Sequence, residues 1–208
     1  VEIDKRRQRN DRIITIRSYV IDIMLEHNRL HALEIEQWRK QIEQKIEPEA
    51  VRMALWQSRA AFMEQLDAFE EGNHLRDKKA VGNWSISDIV GHIADWEQLI
   101  IQSARHIYDH SQPAVTRLSD NIEEWNHILM TRRAAKSWPE NYHYLRETQI
   151  EMDQFVNALT PGDWRLRGPY PWHDRGTLAE LLTDAAEHYR DHVPDLEQWY
   201  QKTEGALP

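Results

Sequence analysis

Apolar residues recur every three or four positions along most of the chain, the spacing of amphipathic helices. From Ile13 to Ile46 the repeat runs through Ile16, Val20, Ile23, Leu30, Ile42 and Ile46. It predicts one long helix, or two broken near Glu26–Leu30. Pro48 suits the first turn of a new helix, with Val51, Leu55, Ala60, Phe62, Leu66 and Phe69 as its apolar stripe, ending by Gly72–Asn73. Ser85 and Asp88 form a capping-box pattern before Ile86, Ile89, Val90, Ile93, Trp96 and Ile100, a helix that runs out near His110. A cap signal at Ser119-Asp120 opens a short helix with Trp125, Ile128 and Leu129. Pro139 restarts the chain as a helix carrying Tyr142, Leu145, Ile150, Met152, Phe155 and Leu159. Thr160-Pro-Gly-Asp163 reads as a capped single turn, and Arg165–Arg175 as an irregular segment rich in Pro and Trp. Thr177 and Glu180 then cap a last helix to Tyr200, with Leu178, Leu181, Leu182, Ala185, Tyr189, Leu196 and Tyr200 on its inner face.

No stretch alternates as a strand does, and Gly and Pro cluster between the helical patterns, so the fold class predicted is all-α. Residues 1–12 are mostly charged and are expected to fray. Residues 1–46 are expected to be a helical extension, used for packing or for dimerisation, and residues 47–208 the main domain.

Composition narrows the chemistry. The chain has 208 residues with 26 Lys plus Arg against 35 Asp plus Glu, a formal net charge of −9. That acidity disfavours nucleic acid as a partner, and no apolar run is long enough to span a membrane. There is no cysteine, so disulfides and thiolate nucleophiles of the protein itself are excluded. A metal would have to be held by His and carboxylate. The start at Val1 reads as a processed or trimmed end. No signal peptide is recognised, and the expected location is the cytoplasm.

Eleven histidines include three pairs at i, i+4 spacing: His27/His31, His106/His110 and His188/His192. Such a pair puts two rings on one helix face, where both can hold one ion. Three occurrences make the spacing unspecific. His106/His110 lies in a last helical turn, where a dipolar ring is favourable for other reasons. His27/His31 reads as solvated or as a dimer contact. His188/His192 turns inward on a well-capped helix, with Asp184 one turn before as a supporting partner or extra ligand. The alternative is a pair of core histidines bonded to Tyr, Asp or backbone carbonyls. Two histidines alone bind weakly, and His92, on another helix with a buried stripe, is the candidate third ligand.

Those residues carry a family resemblance. Trp84-Ser-Ile-Ser-Asp-Ile-Val-Gly-His92 with Trp96-Glu97, Thr160-Pro-Gly-Asp-Trp164, and Glu187-His188-Tyr-Arg-Asp-His192 resemble, in that order, motifs of the DinB-like (DinB/YfiT-like) metalloenzyme superfamily, over about residues 48–200. The resemblance implies a four-helix bundle of up-down-down-up topology. It implies that His92, His188 and His192 are a metal triad with an open position for water. Zinc or nickel leads among the divalent ions, with iron and manganese open. Asp184, Asp88, Asp95 and Glu97 are candidates for supporting or proton-transfer roles, against a plain reading as solvated helix positions. Tyr189 and Trp96 are read as core before pocket wall, and Trp125-Asn126 and Pro169–His173 as cover for the mouth of the site.

The first functional expectation is a metal-dependent transferase or hydrolase, in which an activated low-molecular-weight thiol or water attacks a small electrophile. The second is a non-catalytic bundle that binds a small molecule or metal. The third is an oligomerising helical protein whose first helix is the functional part. A homodimer is expected under each, with no nucleic acid and no membrane partner.

Overall fold

The computed structural model describes residues 47–67, 80 and 82–204. The expected extension at 1–46, with His27/His31, lies outside the described residues, as does Phe69. The described residues are mostly helical. In order they form α1 (Pro48–Asp67), α2 (Ile86–Asp109), α3 (Ile122–Arg133), α4 (Trp138–Ala158), a single 3-10 turn (Asp163–Arg165), β1 (Arg167–Tyr170), β2 (His173–Thr177) and α5 (Leu178–Glu204). α1 packs along α5, α2 along α4, and α2 also against α5. No described helix is long and apolar enough to cross a membrane.

Local chemistry sets the helix starts. Ser85 Oγ accepts from Asp88 N at 3.1 Å while Asp88 Oδ2 accepts from Ser85 N at 2.9 Å, the reciprocal pair expected at the start of α2. The same exchange joins Thr177 and Glu180 at α5, at 2.6 and 3.1 Å. The cap of α3 is Asn121, not Ser119-Asp120: its Oδ1 accepts from Glu123 N at 2.8 Å. Ser119 Oγ instead supports Asn121 N, at 3.0 Å. Pro139 is preceded by a further capping pair, Ser137 N donating to Glu140 Oε2 at 2.8 Å. The Thr160 to Asp163 turn closes as expected, with Thr160 N donating to Asp163 Oδ2 at 2.7 Å.

The core follows the apolar stripes, with two departures. Leu55, Phe62, Ile89, Ile93, Leu145, Met152, Leu181, Leu182 and Ala186 form its centre. Ala60 is exposed, and so is Ile150, at 54 %. Thr148 and Gln149 take the inner positions of α4 beside Ile150. Polar residues can sit there because Glu97 and Tyr189 on other helices bond to them.

The segment expected to be irregular contains a small two-stranded antiparallel hairpin, the one strand pair among the otherwise mostly helical described residues. Its register pairs Arg167 with Thr177 and Gly168 with Gly176, then shifts before Tyr170 pairs with His173. Pro169 cannot donate at the shift. Two close approaches require glycine. A Cβ on Gly168 would lie 2.8 Å from Ile107 of α2, and one on Gly176 would lie 2.4 Å from the Tyr170 ring. The hairpin thus lies against α2 and leads directly into the cap of α5.

Candidate metal centre

His92 lies within the buried stretch of α2 and is 3 % exposed. His188 and His192 lie one turn apart on α5, facing it. Ring centroids are 4.8 Å apart for His92–His188, 5.2 Å for His92–His192 and 5.0 Å for His188–His192. His92 Nε2 and His188 Nε2 are 2.9 Å apart. One nitrogen from each of the three rings fits within a 4.8 Å group. Two stretches almost a hundred residues apart in sequence meet at this point.

A further carboxylate holds one of these rings. His192 Nδ1 donates to Asp195 Oδ2 at 2.9 Å, which fixes the tautomer and leaves Nε2 as the free lone pair. His92 Nδ1 is buried with no hydrogen-bond partner among the described residues. Burial, and then the neighbouring His188 and His192, hold the His92 pKa well below its ordinary value. Burial, with His192 second, lowers that of His188 to about 3. Both rings are therefore neutral at physiological pH and present lone pairs, the state a metal ligand requires.

The three rings border a cavity of about 740 Å³. Trp84, Trp96 and Trp172 line it with Ile100 and Ile122, and Asn126, Asp184 and Asp191 are among its polar points. Trp84 reaches it from a turn in which Gly82 has φ +57°, a left-handed conformation suited to glycine. The turn is closed by Ala80 N donating to Trp84 O at 2.8 Å. Trp172 comes from the tip of the hairpin, and its Nε1 donates to Asp184 Oδ2 at 2.8 Å. Trp96 Nε1 donates to Asn126 Oδ1 at 2.9 Å, tying α3 to the site. Burial raises the Asp184 pKa against the pull of the Trp172 bond.

A family model of the DinB superfamily matches residues 36–195. The chain belongs to the DinB superfamily. The solved structure of an uncharacterised protein from Escherichia coli UTI89 has a similar fold, with a TM-score of 0.61 at 13 % identity. The match covers 78 % of this chain and 97 % of that one. No curated protein matches the chain.

In this DinB-superfamily chain the other expected site residues are placed elsewhere. Asp88 is part of the α2 cap. Asp95 forms a two-pronged ion pair with Arg133 of α3, its Oδ2 accepting from Nε at 2.9 Å. Gly91 makes room for that arginine, whose Cδ would lie 2.3 Å from a Cβ there. Glu97 is buried among other helices, away from the cavity lining, so none of these three is a freely solvated position. Tyr189 is core, 1 % exposed, whereas Trp96 both packs and lines the cavity. Asn126 and Trp172 reach the cavity as expected of their segments, with Trp125 behind Trp96 at 5.2 Å. His106 Nδ1 donates to Gln112 O at 3.0 Å, so that ring serves the end of α2. Asp195 was not among the expected residues, although its place three positions after His192 is the signal that finds it.

A pH dependence follows for the metal-free protein. The unfolded chain protonates His188 near 6.5, and the folded chain only near 3. Between those values the unfolded state binds more protons. Stability is therefore complete above about 6.5 and declines as pH falls, by about 1.4 kcal/mol per pH unit for each such histidine. Urea unfolding between about pH 7 and about pH 5 should show this decline. His188→Ala should flatten it, and an unchanged slope in that variant would contradict neutral burial of the ring.

Proposed function

We propose that the protein is a metal-dependent enzyme in which His92, His188 and His192 hold a divalent ion, and in which a low-molecular-weight thiol or water attacks a small electrophile in the adjoining cavity. The observation that carries this is the convergence of three imidazoles from two helices at the edge of a Trp-lined cavity. The donor set fits such an ion. Three histidines with no cysteine or carboxylate in the group are the ligand count of a catalytic site with an open position. Zinc or nickel suits this donor set, ahead of iron or manganese. When bound, the ion supplies Lewis acidity, bringing the pKa of a coordinated water or thiol towards neutrality.

The chain's own residues do the rest. Asp195 fixes the His192 ring. Trp84, Trp96 and Trp172 exclude water and hold an apolar body. Asp184, oriented by Trp172, is placed to accept or return a proton. The same reading takes α1, α2, α4 and α5 as a four-helix bundle of up-down-down-up topology. The α1–α5, α2–α4 and α2–α5 packing supports it, as does the Arg59–Asp153 ion pair between α1 and α4. It also takes the protein as a cytoplasmic homodimer joined through residues 1–46, in keeping with the absence of cysteine and the helical pattern of that segment.

The test is turnover by tag-free protein, metal-loaded and chelator-stripped. Suitable probes are a chromogenic ester and an aryl halide with a panel of thiols. Metal-dependent turnover that disappears in His188→Ala is the expected result. A protein that binds the ion stoichiometrically but turns over none of the panel would instead be a binding module.

A further inference from the structure

We propose that the molecule this cavity accepts is an organic cation, an amine or ammonium compound with an apolar body. The inference rests on the reading of the cavity as the substrate site. It starts from what the three tryptophans offer a ligand. The indole N–H of Trp96 is engaged by Asn126 at 2.9 Å and that of Trp172 by Asp184 at 2.8 Å. With their donors committed to the protein, these two side chains present only ring surface and ring edge to the cavity. Aromatic ring faces carry negative electrostatic potential and attract cations, tryptophan most strongly. Trp96 and Trp172 lie 5.3 Å apart between centroids and come from different elements, so two aromatic walls meet at an angle of 69°. Trp84 lines the same cavity from the turn before α2.

The charges agree. Asp184 and Asp191 of α5 line the cavity, and no Lys or Arg lines it among the described residues. Asp184 has one oxygen on the Trp172 indole, which leaves the other, among the described residues, to receive an N–H or to face a quaternary ammonium. Away from the three histidines, a carboxylate or phosphate of the same shape would meet indole rings and two aspartates. The volume, about 740 Å³, is that of a site for a molecule of drug-like size. The cationic group would lie against Trp172 and Asp184 and the electrophilic atom towards the three histidines. The net charge of −9 would draw such a molecule in.

The experiment titrates full-length, tag-free protein with three probes of similar size: benzyltrimethylammonium, benzyl alcohol and phenylacetate. Binding is followed by tryptophan fluorescence and calorimetry in chelator-stripped protein, so that direct anion–metal contact does not enter. The expected result is a Kd for the ammonium probe about tenfold or more below those of the other two. Asp184→Asn keeps an oxygen for the indole and removes the charge. It should reduce that preference severalfold, with the circular dichroism spectrum unchanged. Trp172→Leu should reduce it too. Equal or tighter binding of phenylacetate, no binding of the ammonium probe at millimolar concentration, or a preference untouched in both variants would overturn the proposal. Metal content is measured on the same preparations. A protein that holds its ion on the three histidines without preferring cations refutes this inference alone, and cation preference without metal refutes only the metal reading.

Discussion

Glu97→Ala is expected to cost about 3 kcal/mol of stability, because it removes the buried one of the two carboxylates, Glu97 and Asp153, that pair the Arg59 guanidinium. Glu97 is 2 % exposed and Arg59 is 6 % exposed. Glu97 Oε1 accepts from Arg59 Nη2 at 2.5 Å. Glu97 Oε2 accepts from Thr148 Oγ1 at 2.6 Å and from Tyr189 Oη at 3.1 Å. One carboxylate of α2 is thereby bonded to α1, α4 and α5. Burial opposes the charge on Arg59, but Glu97, Tyr189 and Asp153 around it outweigh burial and hold its pKa above the ordinary value. Removing Glu97 withdraws the strongest of these and strips the Tyr189 hydroxyl of its acceptor, while Thr148 Oγ1 keeps its bond to Leu145 O at 3.0 Å. Replacing both Arg59 and Glu97 by methionine should cost less than the sum of the single changes, since an apolar pair of similar volume leaves no lone charge. Urea unfolding measures both. A loss under about 1 kcal/mol for Glu97→Ala would mean that Asp153 alone suffices to hold the Arg59 charge. Tyr189 follows His188 directly, so the same variant should also loosen the His cluster and weaken metal binding.

The second large effect concerns the histidines themselves. His92→Ala and His188→Ala should each abolish stoichiometric binding of a divalent ion, since two imidazoles hold an ion poorly in competition with water. Asp195→Asn should leave an ion bound but lower its affinity by about 10–100-fold, because the His192 ring loses the carboxylate that sets its tautomer. Competition against a chromogenic chelator distinguishes the two sizes of effect. Equal losses on substituting His106, whose ring is bonded to Gln112 at the end of α2, would show that the assay reports unspecific surface binding.

The cluster was legible in the sequence because its signals are local. The i, i+4 spacing of His188 and His192 puts both rings on one face, and the caps at Ser85 and Thr177 fix where their helices begin. His92 needed more, since its meeting with the pair depends on how α2 packs on α5, and the order of motifs along the chain supplied that. What the sequence does not display depends on partners remote along the chain. Ile150 outranks Thr148 and Gln149 in hydrophobicity, yet the latter two are inside, because Glu97 and Tyr189 satisfy their polar groups. Glu97 reads as a surface charge until Arg59 is placed beside it. The β1–β2 hairpin shows no alternation: Gly168, Pro169 and Gly176 are there for close approach and register, not for burying a face. Trp172 was placed near the mouth of the site by its loop alone, and its bond to Asp184 could come only from the fold.

The most direct test of the central claim is an anomalous-scattering map from crystals of tag-free protein grown with zinc, read beside the metal content of the same protein in solution. The account predicts one ion per chain, ligated by His92, His188 and His192, and absent from His188→Ala. A protein without stoichiometric metal, or an ion bound elsewhere with content unchanged by His188→Ala, would contradict it.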